Sequence, residues 1–497
     1  MIEWLKKQEH LQSILHKTSG TTFFKFSNDA FNAYLTALDF TTNQQTIIVV
    51  LPNLYDAQKY YDVISQIIDP DQVLFYPADQ TLTTMMALGS PEFKSERLFT
   101  LKQLMTGEPF IVVTTMQGLS LRQLKKEDYI RSVKRIEKDQ SYELEKLVQF
   151  LVYSGYQRTY TVEKPGEFSL RGHILDVFTL NNDQPYRIDF FDDIVDQIKV
   201  FDIETQRSVY QLNTIEIAPM HELFYTDQMK QDAIKNIRKF FQNDQLSERE
   251  QEKLSEDLDH IDQRIKLDGL SMYMPFFNEE QTTLVDFATD AKIYFVDVHK
   301  MKINEEQTLS DLMTYAVTMN GDHFLKVPFR LTLDEQLKHT HIEIDNFGLN
   351  SPSNAIDLGV SSLNTFQGNL ELFYLDIRDM PTYRIFICIK QQAYKDELTE
   401  FLDRKNVNYD FKLSEEPGVH IVDLASYGAF QMKYDKVWIL DESQLFTYRT
   451  RPAIRYRSVL NQASKIRRVE DLTPGDFVVH YDYGIGQYMG LKTMELS

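Results

Sequence analysis

Short apolar runs alternate with helical patterns along the first part of the chain. The runs Thr46–Leu51, Gln72–Pro77 and Pro109–Thr115 are β-branched or aromatic, as buried parallel strands are. Between them, Leu54–Ile68 and Glu92–Leu104 carry apolar residues at helical spacing. Strands that alternate with helices in this way predict an α/β layer domain.

Strands in close succession come next, after a helix predicted near Tyr142–Ser154. They are expected within Gly166–Asp193 and at Asp196–Ser208, with only short turns between them. This arrangement predicts a small antiparallel module inserted into the first domain.

A charged amphipathic helix is predicted at Leu246–Leu267. Ser247 and Glu250 have the spacing of a capping box at its start. Its apolar stripe consists of Leu254, Leu258, Ile261 and Ile265. We interpret the charged residues of this segment as a solvated helix face.

A second α/β unit is predicted from about Leu370 to Phe446, after a polar linker at Asn350–Asn354. Its strands are expected in the runs RIFICIK, GVHIVDL and KVWILDE. Thr447–Arg468 then holds seven basic residues and no acidic one, which suits a connector. The residues after it predict a strand, a glycine turn and a strand. One hairpin buries too little to be stable alone, so we expect the chain to end inside a domain.

The bulk composition narrows the classes of function. A chain of 497 residues exceeds one hydrophobic core and predicts three or four domains. Its net charge of -21 opposes non-specific binding to phosphate backbones, so nucleic acid would need a local basic patch. The one cysteine, Cys388, excludes a disulfide framework and suits a reducing compartment. No apolar run reaches the roughly 18 residues of a membrane span, and we expect a cytoplasmic protein.

Two segments resemble parts of a nucleotide site. In KVWILDES, Asp441 and Glu442 could hold Mg²⁺ and activate water, but only beside a loop of the form G-x-x-x-x-G-K-[ST]. The chain has no such loop, and the nearest equivalent, at Ser19 and Gly20, lacks the lysine that offsets phosphate charge. We therefore expect a degenerate phosphate loop there and a core that binds no nucleotide. A nucleotide-dependent enzyme using Asp441 and Glu442 stays open as the alternative.

Three further patterns carry weak signals. Gly484–Gly490 imitates a dinucleotide fingerprint, but the residues after it suit a strand, so its glycines are expected in a turn or bulge. His339 and His341 alternate along a predicted strand without acidic ligands, and no metal site is predicted. The basic run Arg449–Arg468 leaves direct DNA binding open as another alternative.

The strand PYRIDFF carries the strongest candidate site. Successive side chains point to opposite faces, so Arg187 and Phe191 lie together on the face opposite the core. In the strand before it, Glu167, Ser169 and Arg171 are expected to point the same way. If the two strands form a hairpin, Arg171, Arg187 and Phe191 share one surface. Arginine and aromatic residues are enriched at binding hot spots, where one truncation can cost about 2 kcal/mol.

The pattern alone leaves a second interpretation of this face equally open. The arginine could instead be a solvated partner of Asp189 or Glu167, with Phe191 covered by a neighbouring domain.

Three blocks together resemble the bacterial transcription-repair coupling factor family (Mfd). They are Gly155–Phe178, Pro185–Ser208 and Leu472–Leu496, and the first two are also similar to the damage-recognition protein UvrB. The resemblance implies a UvrB-like α/β domain with an inserted small α+β domain, a second α/β domain, and the start of an RNA-polymerase-interacting β-barrel. It also implies that this chain is an amino-terminal region without the helicase-type ATP motor of the family.

The resemblance implies partners rather than chemistry for this chain. It assigns UvrA binding to Arg171, Arg187 and Phe191, and RNA polymerase binding to the terminal barrel, with Met494 among the expected contacts. ATP, Mg²⁺ and DNA would belong to the motor domains, so no cofactor and no catalytic residue is expected here. A C-terminal domain of the full-length protein is expected to mask the UvrA surface. The chain is thus predicted to be a recruitment module and not an enzyme.

The predicted domain boundaries follow from these assignments. They are 1–128 for the first part of the UvrB-like α/β domain, 129–221 for the inserted UvrA-binding domain, 222–352 for the second part of the α/β domain, 353–447 for the separate small α/β domain, 448–470 for the basic linker, and 471–497 for the start of the barrel.

Overall fold

The fold is seen in a computed structural model, which describes most of the chain. The described residues are 1–15, 20–78, 91–179, 182, 184–265, 267, 270–280, 282–319, 326–345, 352–424, 428–446, 477–480 and 484–487. Ser19, Met494 and the whole basic linker lie outside them, so the predictions made for those residues stay predictions.

The described residues form twenty-two strands. The strands are β1 (Thr22–Ser27), β2 (Ile47–Leu51), β3 (Val73–Tyr76), β4 (Ile111–Thr115), β5 (Lys134–Glu137), β6 (Gln157–Arg158), β7 (Glu167–Arg171), β8 (Ile174–Val177), β9 (Tyr186–Phe191), β10 (Ile194–Phe201), β11 (Ser208–Leu212), β12 (Thr214–Ile217), β13 (Lys292–Val296), β14 (Ile342–Asp345), β15 (Ile356–Ser362), β16 (Arg384–Cys388), β17 (Tyr409–Asp410), β18 (Gly418–Val422), β19 (Phe430–Met432), β20 (Val437–Asp441), β21 (Phe477–His480) and β22 (Gly484–Gln487).

Seventeen α-helices accompany the strands within the same residues. The helices are α1 (Ile2–Leu5), α2 (Glu9–Leu15), α3 (Asp29–Asn43), α4 (Leu54–Ile67), α5 (Pro91–Leu104), α6 (Met116–Ser120), α7 (Lys126–Ser132), α8 (Leu144–Tyr153), α9 (Asp227–Phe241), α10 (Glu248–Gln263), α11 (Met274–Phe277), α12 (Leu284–Phe287), α13 (Val298–Met319), α14 (Leu333–Gln336), α15 (Leu370–Arg378), α16 (Gln392–Arg404) and α17 (Glu442–Leu445). The mixed α/β, multidomain class expected from the sequence is confirmed.

The largest sheet has twelve strands and joins both α/β units. Its order is β17-β18-β16-β20-β19-β15-β1-β14-β13-β2-β4-β3. All neighbours are parallel except β19, which runs antiparallel to β15 and β20 and connects the two parallel blocks. The sheet therefore continues through β15 into the unit predicted at 353–447, which is attached along a strand as well as through a linker.

The apolar runs of the first unit form fully buried strands, as predicted. Every residue of β2, β3 and β4 is buried, and the helices α4 and α5 lie where helical spacing placed them. Because helices cover both faces of such a sheet, its central strands read as continuous apolar runs.

Helix α10 follows its predicted pattern except at its end. The capping box of Ser247 and Glu250 is present, and Leu254, Leu258 and Ile261 are buried. The helix stops at Gln263 and Arg264 adopts a left-handed conformation. Ile265 therefore lies beyond the helix and is exposed, so its predicted place in the apolar stripe is wrong.

The inserted module is a six-stranded sheet in the order β11-β10-β9-β8-β7-β6. Its inner face packs on helix α8 and on a separate two-stranded ladder of β5 and β12. The segment Gly166–Phe178, predicted as one strand, forms both β7 and β8, joined by a turn at Gly172 and His173. One face of the module is thus covered by α8 and the ladder, and the opposite face is open only in part, because Val162, Phe178 and Phe201 form a second, smaller buried cluster there.

The terminal region contributes one hairpin to the described residues. Strands β21 and β22 are antiparallel, and Gly484 and Gly486 lie within β22. The turn itself and the remaining residues of the predicted barrel lie outside the described part, so the barrel stays a prediction. No helix in the described part of the chain is long and apolar enough to cross a membrane.

Candidate partner-binding face of the inserted module

Two tight turns at one end of the six-stranded sheet organise the candidate site. Gly172 and His173 join β7 to β8, and the first turn residue has φ of 62°. Asp192 and Asp193 join β9 to β10, and again the first turn residue has a positive φ, 51°. Glycine adopts this conformation without steric strain, and aspartate tolerates it better than most residues.

The strand register brings Arg171 and Arg187 onto one face, but not by the predicted hairpin. Strand β8 lies between their strands, and Asp176 on β8 pairs with Arg187 on β9. In the neighbouring row, Arg171 pairs with Ile174. The arginines meet across an intervening strand because side chains in register on neighbouring strands share a face.

The buried carboxylate of Asp176 holds both arginines. Arg171 Nη2 donates to Asp176 Oδ2 at 2.6 Å. Arg187 donates to the same carboxylate twice, from Nε to Oδ1 at 2.7 Å and from Nη2 to Oδ2 at 2.9 Å. A bidentate guanidinium–carboxylate pair fixes orientation as well as contributing energy. Asp176 therefore acts as the positioning group of this face.

Most of the guanidinium group of Arg187 binds other residues of the module. Its guanidinium lies 4.3 Å from the centre of the Phe201 ring, and Nη1 donates to the carbonyl of Gln206 at 3.1 Å. The hydrogen bonds to Asp176 raise the pKa of Arg187 above its ordinary value, so the side chain stays charged. Its side chain is 17% exposed, against 40% for Arg171. Both arginines therefore lie on the face opposite the main core, as alternation predicts, but Arg187 is mostly covered whereas Arg171 is exposed.

Arg171 and Phe191 are the residues left open to a partner. Within the described residues, Nε and Nη1 of Arg171 have no hydrogen-bond acceptor. Phe191 is 74% exposed, so the described part of the chain leaves most of its ring uncovered. The alternative interpretation of this face holds in part: Arg187 is paired within the module, but with Asp176 rather than with Asp189 or Glu167, and Asp189 pairs with Lys199 at 2.6 Å. The exposure of Phe191 contradicts its other part.

Two residues expected on the open face are buried instead. Glu167 accepts hydrogen bonds from the backbone N–H groups of Glu163 and Lys164, and Ser169 Oγ donates to the carbonyl of Tyr160. The chain before β7 folds over this corner of the sheet and covers both side chains. Period-two alternation gives the face of a residue but not whether a loop covers it.

Sequence reasoning missed two apolar neighbours of Phe191. Ile194 pairs directly with Phe191, and Ile174 pairs with Arg171 in the adjacent hairpin. Both isoleucines are exposed. Each is the first residue after a two-residue turn, and that position in RGHI and FDDI is the sequence signal that could have found them.

The predicted phosphate-loop position does not lie where a phosphate loop would. Such a loop connects a strand to the following helix, whereas Gly20 precedes β1. The connection from β1 to α3 is the single residue Asn28, whose side chain accepts from the N–H of Phe31. Asp29 then places a negative charge in the first turn of the helix, where an anion would bind.

The carboxylates of Asp441 and Glu442 are used by the fold. Asp441 caps α17, accepting from the N–H and the hydroxyl of Ser443, and also accepts from the N–H of Gly428. Glu442 accepts from the N–H groups of Lys390 and Gln391 at 3.3 and 3.4 Å. This geometry favours the structural role of the two acids.

The histidine pair does not alternate along a strand as predicted. His339 and His341 both precede β14, and Nδ1 of His341 lies 2.8 Å from the carbonyl of His339. Among the described residues, no group of three or more His, Cys, Asp or Glu side chains could hold a metal ion.

Comparison with known proteins assigns two parts of the chain to families. Residues 135–224 match the UvrB interaction domain, and residues 472–497 match the CarD-like/TRCF RID domain. The first match spans the six-stranded sheet and therefore contains the whole candidate face.

Curated relatives are similar over nearly the whole chain. The transcription-repair-coupling factor of Bacillus subtilis (strain 168) is 27% identical over 496 residues, which is 95% of this chain and 42% of the relative. Those of Staphylococcus epidermidis (strain RP62A) and Staphylococcus aureus (strain bovine RF122) are 24% and 25% identical, over 94% and 99% of this chain and 41% and 44% of their own lengths. This chain spans about two fifths of each. Over nearly its whole length the chain is similar to transcription-repair-coupling factors, with a match to the UvrB interaction domain at residues 135–224 and to the CarD-like/TRCF RID domain at residues 472–497.

Proposed function

We propose that this chain is the recruiting region of a transcription-repair-coupling factor and that its inserted module binds UvrA. The observation that carries the proposal is the face on which Asp176 holds Arg171 and Arg187 beside the exposed Phe191. A guanidinium group and an exposed aromatic ring on the same face of a sheet are typical of a binding hot spot. The match to a UvrB interaction domain supports a repair protein as the partner.

A second partner, RNA polymerase, is proposed for the C-terminal region. The support is the match of residues 472–497 to the CarD-like/TRCF RID domain, which would include Met494. The two contacts would bring excision repair to a polymerase stalled at damage, in the cytoplasm. Displacement of the polymerase would depend on ATP, Mg²⁺ and DNA bound by motor domains of a full-length protein.

We propose that the described part of the chain has no enzymatic activity of its own. The one-residue connection at Asn28 and the capping role of Asp441 support this, because neither leaves room for a triphosphate or a free metal ligand. Isothermal titration with ATP and Mg²⁺ tests it, and tight binding would restore the nucleotide-dependent enzyme as the better candidate.

The UvrA contact is tested by titrating purified UvrA with Phe191→Ala and Arg171→Ala variants of this chain. Each should weaken binding by about 30-fold, since a hot-spot truncation costs about 2 kcal/mol. Both side chains are exposed, so circular dichroism and thermal unfolding should match the parent. Undiminished binding by both folded variants would exclude this face as the UvrA site.

Masking is a further part of the proposal. If a C-terminal domain of the full-length protein covers this face, the present chain should bind UvrA more tightly than the full-length protein does. Equal affinity of the two in the same titration would count against masking and leave the contact itself unaffected.

A further inference from the structure

We propose that Ile174 and Ile194 contact the same partner as Phe191. The contact surface is then a strip of four residues, Arg171, Ile174, Phe191 and Ile194, called here the contact strip. The partner surface that fits it is an apolar depression with a carboxylate at one end. This inference rests on the proposed function and adds to it the residues and the chemistry of the contact.

The strand register makes the four residues contiguous. Arg171 pairs with Ile174, and Phe191 pairs with Ile194. Ile174 pairs with Asp189, so it is the diagonal neighbour of Phe191 on the same face. Direct cross-strand pairs have Cβ atoms about 5 Å apart, and diagonal neighbours are about 7–8 Å apart. The strip therefore crosses four strands without a gap.

The turns leave the strip uncovered. The N–H of Phe190 donates to the carbonyl of His173, so the pairing of β8 and β9 continues to the turn. Phe191 then lies opposite Gly172, which has no side chain to cover the ring. Ile174 is 38% exposed and Ile194 is 48% exposed. Among the described residues, neither isoleucine belongs to the two buried clusters of the module, so these two side chains are not needed to build its cores.

The charges at the two ends of the strip differ in sign. Arg171 has unused N–H groups at one end, while the exposed turn of Asp192 and Asp193 follows Phe191 at the other. A carboxylate on the partner would complete the hydrogen bonding of Arg171, and it would be repelled by the acidic turn. Opposite-sign ends thereby fix one orientation of the partner.

The isoleucines are tested in the intact chain with purified UvrA. We expect Ile174→Ser and Ile194→Ser each to weaken binding at least about tenfold, because desolvated apolar contacts at the centre of an interface dominate affinity. Val209→Ser is the matched control, since Val209 lies on the edge strand of the same sheet, is 57% exposed and lies outside the strip. Its binding should stay within about twofold of the parent, as surface substitutions away from an interface do.

The outcomes distinguish a failure of the contact strip from a failure of the proposed UvrA contact. If both isoleucine variants bind like Val209→Ser while Phe191→Ala loses binding, the contact strip is overturned and the UvrA contact stands. If Phe191→Ala and Arg171→Ala also bind like the parent, the proposed function itself fails.

The carboxylate on the partner is tested through salt. Arg171→Gln should weaken binding and flatten its dependence on salt concentration, because an ion pair is screened and a neutral contact is not. Val209→Ser provides the control, and the parent salt dependence should persist in it. An unchanged salt dependence in a weakened Arg171→Gln variant would overturn the carboxylate.

Discussion

The side chains on the outer face of the six-stranded sheet and those at the strand ends of the twelve-stranded sheet differ in how they use their polar groups. At the ends of β1 and β20, Asn28, Asp441 and Glu442 spend their polar atoms on the backbone of their own fold. On the module face, Nε and Nη1 of Arg171 have no acceptor among the described residues, and Phe191 is exposed on the same face. Hydrogen-bonding groups that the fold has not used therefore distinguish a candidate binding site from a motif that only resembles one.

The largest effect is expected when the carboxylate of Asp176, which holds both arginines, is removed. Asp176→Asn should lower the free energy of local opening of β7–β9 by about 3 kcal/mol, because it leaves two guanidinium groups around a buried, uncharged side chain. Hydrogen exchange of peptides from β8 and β9 measures this opening.

Asp192→Asn is the control for that variant, since Asp192 is an exposed acid of the same sheet and asparagine also tolerates positive φ. Equal protection of β8 and β9 in the two variants would show that Asp176 does not position the arginines.

The second prediction distinguishes Arg187, which stabilises the module, from Arg171, which is proposed to contact the partner. Arg187→Lys should destabilise the module by about 2 kcal/mol, because lysine cannot make the bidentate pair with Asp176 or stack as well on Phe201. Arg171→Lys should change stability by less than about 0.5 kcal/mol, since its pair is partly exposed, yet still weaken UvrA binding. Urea unfolding and UvrA titration of both variants measure the two effects, and a reversed order would contradict the assignment.

The third prediction addresses the large sheet. Asp441→Ala should destabilise the second α/β unit by about 1 kcal/mol through loss of the α17 cap and should not change any affinity for ATP. Trp4 and Trp438 are both buried in or against this unit, so tryptophan fluorescence reports its thermal unfolding.

Asp423→Ala, an exposed acid after β18, is the matched control and should unfold like the parent. If the parent binds ATP and Asp441→Ala abolishes that binding, the comparison between the two regions is reversed.

The last prediction concerns the ion pair between α5 and the segment that follows β12. Arg97 on α5 binds Glu222 through two hydrogen bonds, at 2.5 and 2.8 Å. Burial raises the pKa of Glu222, but the charge and hydrogen bonds of Arg97 outweigh it, with Lys94 and His221 adding to them, so the pKa is lowered from 4.5. The net shift is therefore the difference between the effect of burial and the effects of the neighbouring positive charges.

The sign of the pH dependence follows from that direction. A carboxyl with a lowered pKa contributes stability above its unfolded value, and this stability is lost as pH falls below about 4.5 through the folded pKa. Hydrogen exchange near β12, corrected for intrinsic rates, should therefore show weaker protection in acid. Glu222→Gln should remove this dependence, and a persisting acid response in that variant would contradict the assignment.

The parts of the fold that could be predicted are those in which the type of each residue, and its position along a strand, indicate whether it is buried. Buried strands such as β2 and β4 read as apolar runs, and alternation placed Arg187 and Phe191 on the face opposite the core. Both signals are local, because side-chain direction depends only on position along the strand.

The parts that could not be predicted depend on pairing between distant segments. The position of β8 between β7 and β9, and with it the role of Asp176, follows from a turn that the pattern did not separate from the strands. The burial of Glu167 depends on a loop without periodicity. The continuity of the large sheet through β15 and β19 joins residues about 70 positions apart, which no local pattern encodes.

The ladder of β5 and β12 has a practical consequence. Because Lys134 pairs with Ile217, the polypeptide enters and leaves the module at adjacent points. A cassette bounded by these two strands has its ends side by side, so it could be transplanted into a surface loop of an unrelated carrier without stretching either junction. Such a chimera would isolate the proposed UvrA contact from the rest of the chain.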